Sequence, residues 1–328
     1  MSFWQKALLK STVILRAALA LALFVCVTYA ASFAFFYLKI DRDIYRGAFN
    51  FVTCLLVFVL MFVFHKLGSI GSEPLIKLKK LGPDQVAATV IIGLGMLGFV
   101  ATYLGVTEMF AESRETVNEA VEEYRESVDR FADVPQVVIP VWDTILYVFT
   151  LCFLVPVTEE MTFRGVIYGQ LRQGFGPLLT VILTSLTFGL LHGVSIHVGY
   201  ALVCGLIIAF CYHLTDSLAA PVILHMVFNI FGSGIPTLMS VEYFGIPDDV
   251  TKSFMAGVNT TSILFMPVSV LAFAYLISVK RKKAKQAAEA AVTVETPAEV
   301  QETDSLDDAQ TKENVSAADN DGGSETVS

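Results

Sequence analysis

Glu159 and Glu160 are adjacent carboxylates, and Arg164 follows Glu160 by four residues. In a helix, an acid four residues before an arginine is the favourable order for an ion pair, while Glu159 points about 100° away. One carboxylate is then held and the other is left available to take a proton. The same run also fits an ordinary helix start, with Thr158 as N-cap and the acids favoured by the helix dipole. A second group is Phe188 and His192, where an apolar run ends in His-Gly. A lone histidine there also fits an interfacial side chain. The third group is His225 and Asn229, four apart near the middle of an apolar run. That spacing puts both on one helix face, where a single cavity could see them, or where they could hydrogen-bond a neighbouring helix.

Together these groups supply two carboxylates, an arginine, two histidines and an asparagine. Such a set can activate water with a carboxylate or imidazole base and stabilise an oxyanion with imidazole or amide donors. No covalent nucleophile stands out, because Ser195 near His192 lacks a GxSxG setting. There is no HExxH helix. Glu159, His192 and His225 could still make a three-ligand zinc site, since zinc accepts carboxylate oxygen and imidazole nitrogen.

The elements that position these residues must be membrane helices. The chain has 328 residues, 55% hydrophobic and only 16% charged, with a mean hydropathy of +0.64. A soluble domain averages roughly 45–50% apolar and 25% charged. Runs long enough for a bilayer core, about 20 residues, fall at 15–38, 47–64, 86–107, 137–157, 178–191, 198–214, 217–234 and 258–279, the fifth and sixth being short. The expected fold is an all-α, polytopic bundle of about eight transmembrane helices. Lys and Arg counts favour the side of Lys6, Lys66, Lys77 and Lys280 over that of Lys39, Arg46 and Arg125 about twofold. This puts both termini in the cytoplasm and predicts a cavity opening toward that side, although His192 then falls near the far end of its span.

The organisation expected is an N-terminal part, 1–136, a catalytic core, 137–279, and a basic junction with a disordered acidic tail, 280–328. Within the first part, 108–133 is acidic, with Val117, Val121, Tyr124, Val128 and Phe131 at helical spacing, the pattern of an amphipathic surface helix. The net charge of −9 resides in this segment and the tail, and nothing resembles a basic nucleic-acid footprint. The five cysteines lie in apolar runs and read as reduced packing residues. The first apolar run is too long for the core of a signal peptide.

The ordered motifs Glu159-Glu160-Met161-Thr162-Phe163-Arg164, Phe188 to His192 and His225 to Asn229 resemble the signature of the CPBP intramembrane proteases. That family includes CAAX prenyl endopeptidases and bacteriocin-processing or immunity proteins, and the resemblance covers about 137–231. It implies an intramembrane endopeptidase in which Glu159 is the general base on water, helped by His192. His225 and Asn229 would stabilise the oxyanion, and Glu160 and Arg164 would shape the site. Both a metal-free mechanism and a divalent metal such as zinc suit the family. The implied partners are the bilayer and a membrane-associated protein or peptide, prenylated in the CAAX case. His197 and His213 match no motif position and read as structural. The chain ends in Thr-Val-Ser, without a CAAX box of its own. A non-catalytic scaffold or immunity protein would keep the same residues for assembly, and an ion-coupled transporter would use them as a relay.

Overall fold

A computed structural model describes residues 2–70, 73–129, 139–193 and 195–295. Their helices are α1 (Phe3–Tyr37), α2 (Arg46–Gly68), α3 (Pro83–Ala111), α4 (Glu115–Asp129), α5 (Val141–Leu171), α6 (Pro177–Leu190), α7 (Ser195–Thr215), α8 (Ala219–Met239) and α9 (Asp248–Glu295). Seven are long and apolar enough to cross a membrane, and the shorter apolar α6 makes an eighth. No strand occurs among the described residues; one antiparallel bridge joins Leu78 to Ser217. The protein is an all-α, multi-pass membrane bundle. Large apolar side chains such as Leu19, Leu55, Leu178 and Leu264 stay exposed on the span surfaces, as lipid contact requires.

The chain divides into two units, Met1–Ile277 and Ser278–Ser328. In the first, α7 feeds two apolar clusters. Ala201, Ala209 and Tyr212 pack with side chains from α1, α2, α5 and α6, and Cys204, Ile208 and Cys211 pack with α3, α8 and α9. All five cysteines are free thiols. Acidic α4 lies against α3 and α7 and buries Val121; the side chain of Val128 and all of Phe131 lie outside the described residues. In the second unit, helix continues through Glu295, where alanine-rich sequence and the Lys285–Glu289 pair at 3.7 Å favour it. The acidic stretch 296–328 lies outside the described residues.

One boundary differs from the expectation in a way that matters. The fourth span does not stop near Val157; it runs on to Leu171. Glu159 and Glu160 are therefore interior residues of a span and not the first turn of a new helix. Thr158 is not an N-cap, because it is buried and its carbonyl accepts from the Thr162 hydroxyl at 2.8 Å. The polar run does not end the span because its charges pair with one another.

Proline shapes the same span. Residues Thr150–Leu154 form a π-helical turn in which Val155 N–H bonds the carbonyl of Thr150, five residues back. The next donor in that register would be residue 156, which is proline and has no N–H. The carbonyl of Leu151 is thus left without a donor from its own helix. α8 repeats the device, with Ile235 bonding Ile230 immediately before Pro236. A second π-helical turn in α5, Met161–Ile167, carries Arg164.

Candidate active site

Glu160 and Arg164 are both fully buried, and Arg164 Nη1 lies 3.0 Å from Glu160 Oε1. Arg164 also donates through Nη2 to the carbonyl of Gly205 on α7, at 3.2 Å. Its guanidinium stacks over Phe188 of α6, 4.4 Å from the ring centroid. A desolvated cation costs several kcal/mol unless it is paired; here a carboxylate, a carbonyl and an aromatic face share the task.

The same carboxylate oxygen reaches α8, where His225 Nδ1 lies 2.8 Å from Glu160 Oε1. With Glu160 ionised against Arg164, Nδ1 carries the proton and donates. The opposite nitrogen is thereby aimed at Glu159: His225 Nε2 lies 4.0 Å from Glu159 Oε2, too far for a hydrogen bond but within ion-pair range. Glu159 keeps 24% of its side chain accessible, against none for Glu160. The neighbouring carboxylates thus differ as their helical angle requires: one is fixed inside the bundle and the other is open. If His225 is protonated, Glu159, Glu160, Arg164 and His225 sum to zero charge.

Asn229, one turn after His225, donates through Nδ2 to the carbonyl of Leu151 at 2.8 Å. This is the carbonyl that Pro156 leaves without a helical donor, so proline chemistry in α5 fixes an amide of α8. An asparagine amide has a second N–H. His192 follows the C-terminal end of α6, where Nδ1 donates to the Phe188 carbonyl at 2.7 Å. A carbonyl only accepts, so Nδ1 holds the proton and Nε2 offers a lone pair when the ring is neutral.

The Phe188 ring joins these groups. Its centroid lies 4.4 Å from that of His192 and 6.3 Å from that of His225. All six motif residues therefore meet around α5, α6 and α8: Glu160, Arg164 and His225 through direct bonds, Glu159 facing His225, Asn229 through Leu151, and His192 through Phe188. Sequence reasoning missed the stacking of Phe188 on Arg164. It also missed Leu151 and Gly205, which act through backbone carbonyls and carry no side-chain signal. The i, i+5 offset from Leu151 to Pro156 is the one trace the sequence holds.

Glu159, His192 and His225, the candidate ligands if a metal is present, do not form a three-ligand group. Among the described residues, no three His, Cys, Asp or Glu side chains stand where they could share a metal ion. No step is therefore routed through a metal.

Residues 141–231 match the family described as Type II CAAX prenyl endopeptidase Rce1-like. The resemblance to the CPBP family holds. The matched stretch begins with α5 and ends just after Asn229, and so contains every residue of the CPBP-like site. The chain is also 24% identical over 141 residues to a Bacillus subtilis protein named "Putative membrane peptidase YdiL"; these residues are 43% of this chain and 56% of that one. The match thus spans little more than half of that relative's length. No solved structure matches the chain.

Proposed function

We propose that the protein is an intramembrane endopeptidase that hydrolyses a peptide bond with water activated by Glu159. The observation that carries this reading is the division between the two carboxylates. Glu160 is spent on Arg164 and His225, and Glu159 stays accessible opposite His225 Nε2. Glu159 takes a proton from water, and the water oxygen bonds to the scissile carbonyl carbon. Protonated His225 and the second N–H of Asn229 donate to the resulting oxyanion. The C–N bond then breaks, and the proton held by Glu159 passes to the leaving amine. Neutral His192 supplies an acceptor that helps orient the water.

The substrate is a membrane-associated polypeptide, and the family's printed description makes a prenylated protein the finer form of that reading. The excess of Lys and Arg supports a cytoplasmic N-terminus and α2–α3 connection. Because Glu159 and Glu160 lie just past the middle of the span Val141–Leu171, water must enter from an end of the bundle.

The test compares the proteomes of cells carrying the natural protein and the Glu159→Gln form. C-terminally or internally cleaved membrane proteins should accumulate only with the natural protein, and the two forms should be present at equal levels. Identical proteomes with an intact Glu159→Gln phenotype would favour the scaffold reading instead. Solute flux in proteoliposomes would favour the transporter.

A further inference from the structure

His192 differs from the other residues of the proposed centre in one respect. Glu159, Glu160, Arg164, His225 and Asn229 sit on helices, whereas His192 lies between the end of α6 at Leu190 and the start of α7 at Ser195. A connecting segment fixes a side chain less firmly than a helix does, so side-chain contacts must supply the order. From α6 come the Phe188 ring and the bond from Nδ1 to the Phe188 carbonyl. From α7 comes His197, whose ring centroid stands 5.2 Å from that of His192 with the planes at 62°, an edge-to-face contact.

His197 is itself backed by other rings. It stacks on Tyr200 of α7, with centroids 4.8 Å apart and planes at 29°. Tyr124 of α4 meets both edge-on, 6.3 Å from His197 and 6.5 Å from Tyr200. Tyr103 of α3 stands 6.0 Å from Tyr200. Its hydroxyl occupies the space that a Cβ at residue 199 would need, so the approach of α3 to α7 requires Gly199. Tyr124 follows buried Val121 by three residues, on the inner face of acidic α4, and Arg125 ties that helix to Glu108 of α3 at 3.5 Å. Both α3 and α4 lie outside 141–231, the stretch that matches the family. These rings therefore join a segment beyond the family match to an imidazole of the proposed centre.

We propose that His197 is a positioning residue for His192, and that Tyr124, through His197, makes α4 a brace for the hydrolytic centre. The inference rests on the hydrolytic role proposed for Glu159 and His192. The bond that Nδ1 makes decides that Nε2 is the acceptor, and the plane of the ring decides where that lone pair points. If the ring turns about its Cβ–Cγ bond, the Nδ1 bond to Phe188 breaks and the lone pair leaves the water it orients. The ring of His197 opposes that turn. His197 thus acts through His192, and Tyr124 and Tyr200 keep His197 from giving way.

The test follows the best-cleaved member of a quenched fluorescent peptide library, with the full-length protein in nanodiscs. His197→Ala should lower kcat by about 10- to 100-fold, the upper figure being the cost of a misplacement of about 1 Å, and leave KM nearly unchanged. His197→Phe keeps a ring in the same place and should recover most of the loss. Tyr124→Ala should lower kcat less, and Tyr124→Phe should match the natural protein. A second readout needs no hydrolysis: the nitrogen NMR signals of His192, assigned by their loss in His192→Gln, at a pH where the ring is neutral. The natural protein should show the Nδ1–H form, and His197→Ala should shift it toward a mixture of both tautomers. If His197→Ala is lost from membranes, Tyr124→Ala on the surface helix carries both readouts. Natural kcat in the variants, a loss confined to KM, or an unchanged His192 spectrum overturns the positioning role. A shifted spectrum in a protein that cleaves no peptide overturns the hydrolytic reading and leaves the positioning of His192 standing.

Discussion

On one face of α5, Glu160 and Arg164 are sealed from solvent and bonded to α7 and α8 at 2.8 to 3.2 Å. On the face turned toward α2, Glu159 keeps a quarter of its side chain accessible, and His225 Nε2 stands 4.0 Å from it. Two identical side chains, adjacent in sequence, thus have unlike environments because a helix turns about 100° per residue. The tightly bonded face orients His225, and the open face is the one proposed to do the chemistry. The contrast predicts that damage on the first face is read as lost protein, and damage on the second as lost turnover.

The largest effect should come from Arg164→Met. It leaves the Glu160 carboxylate buried with His225 as its partner, and removing one member of a buried pair costs about 3–5 kcal/mol. The variant should be nearly absent from membranes, or should melt far below the natural protein in detergent. Replacing both charges, as Glu160→Leu with Arg164→Met, should recover much of that stability, because no buried charge is then left unpaired. It should not recover cleavage, since His225 loses the oxygen that aims it. If the double variant is as unstable as the single one, the pair is not what stabilises this face.

Asn229→Ala should have an intermediate effect that touches both faces. It removes an amide proposed to donate to the oxyanion and uncovers the Leu151 carbonyl at once. Loss of one such donor lowers turnover by about 10²–10³, and the uncovered carbonyl costs about 1–3 kcal/mol. Pro156→Ala separates the two parts. It returns a helical donor to Leu151, so Pro156→Ala with Asn229→Ala should melt above Asn229→Ala alone while remaining equally slow in the peptide assay.

How much of this was legible beforehand follows from what each residue uses to make its contact. The number of spans and the three motifs were readable, because run length and four-residue spacing are properties of the chain itself. The ion pair of Glu160 and Arg164 was readable for the same reason. The end of the fourth span was not, because a charged run usually stops a membrane helix and only the fold reveals that these charges cancel. The carbonyls of Leu151 and Gly205 left no side-chain signal.

The smallest effect should follow Phe188→Leu. Phe188 belongs to the bonded face through Arg164, yet it also touches both histidines and packs edge-on against Phe163 at 5.1 Å. Leucine stays apolar but is smaller, so it leaves a small void at this buried position. It deletes the aromatic face under the guanidinium, worth about 2 kcal/mol when desolvated. Because Glu160 and the Gly205 carbonyl still hold Arg164, the protein should fold, melt slightly lower and keep measurable turnover. Phe188→Tyr retains the aromatic face and should restore the melting temperature if its hydroxyl is accommodated. A Phe188→Leu variant that melts normally but turns over as slowly as Glu159→Gln would place Phe188 with the open face, as the wall that sets His192 against the water.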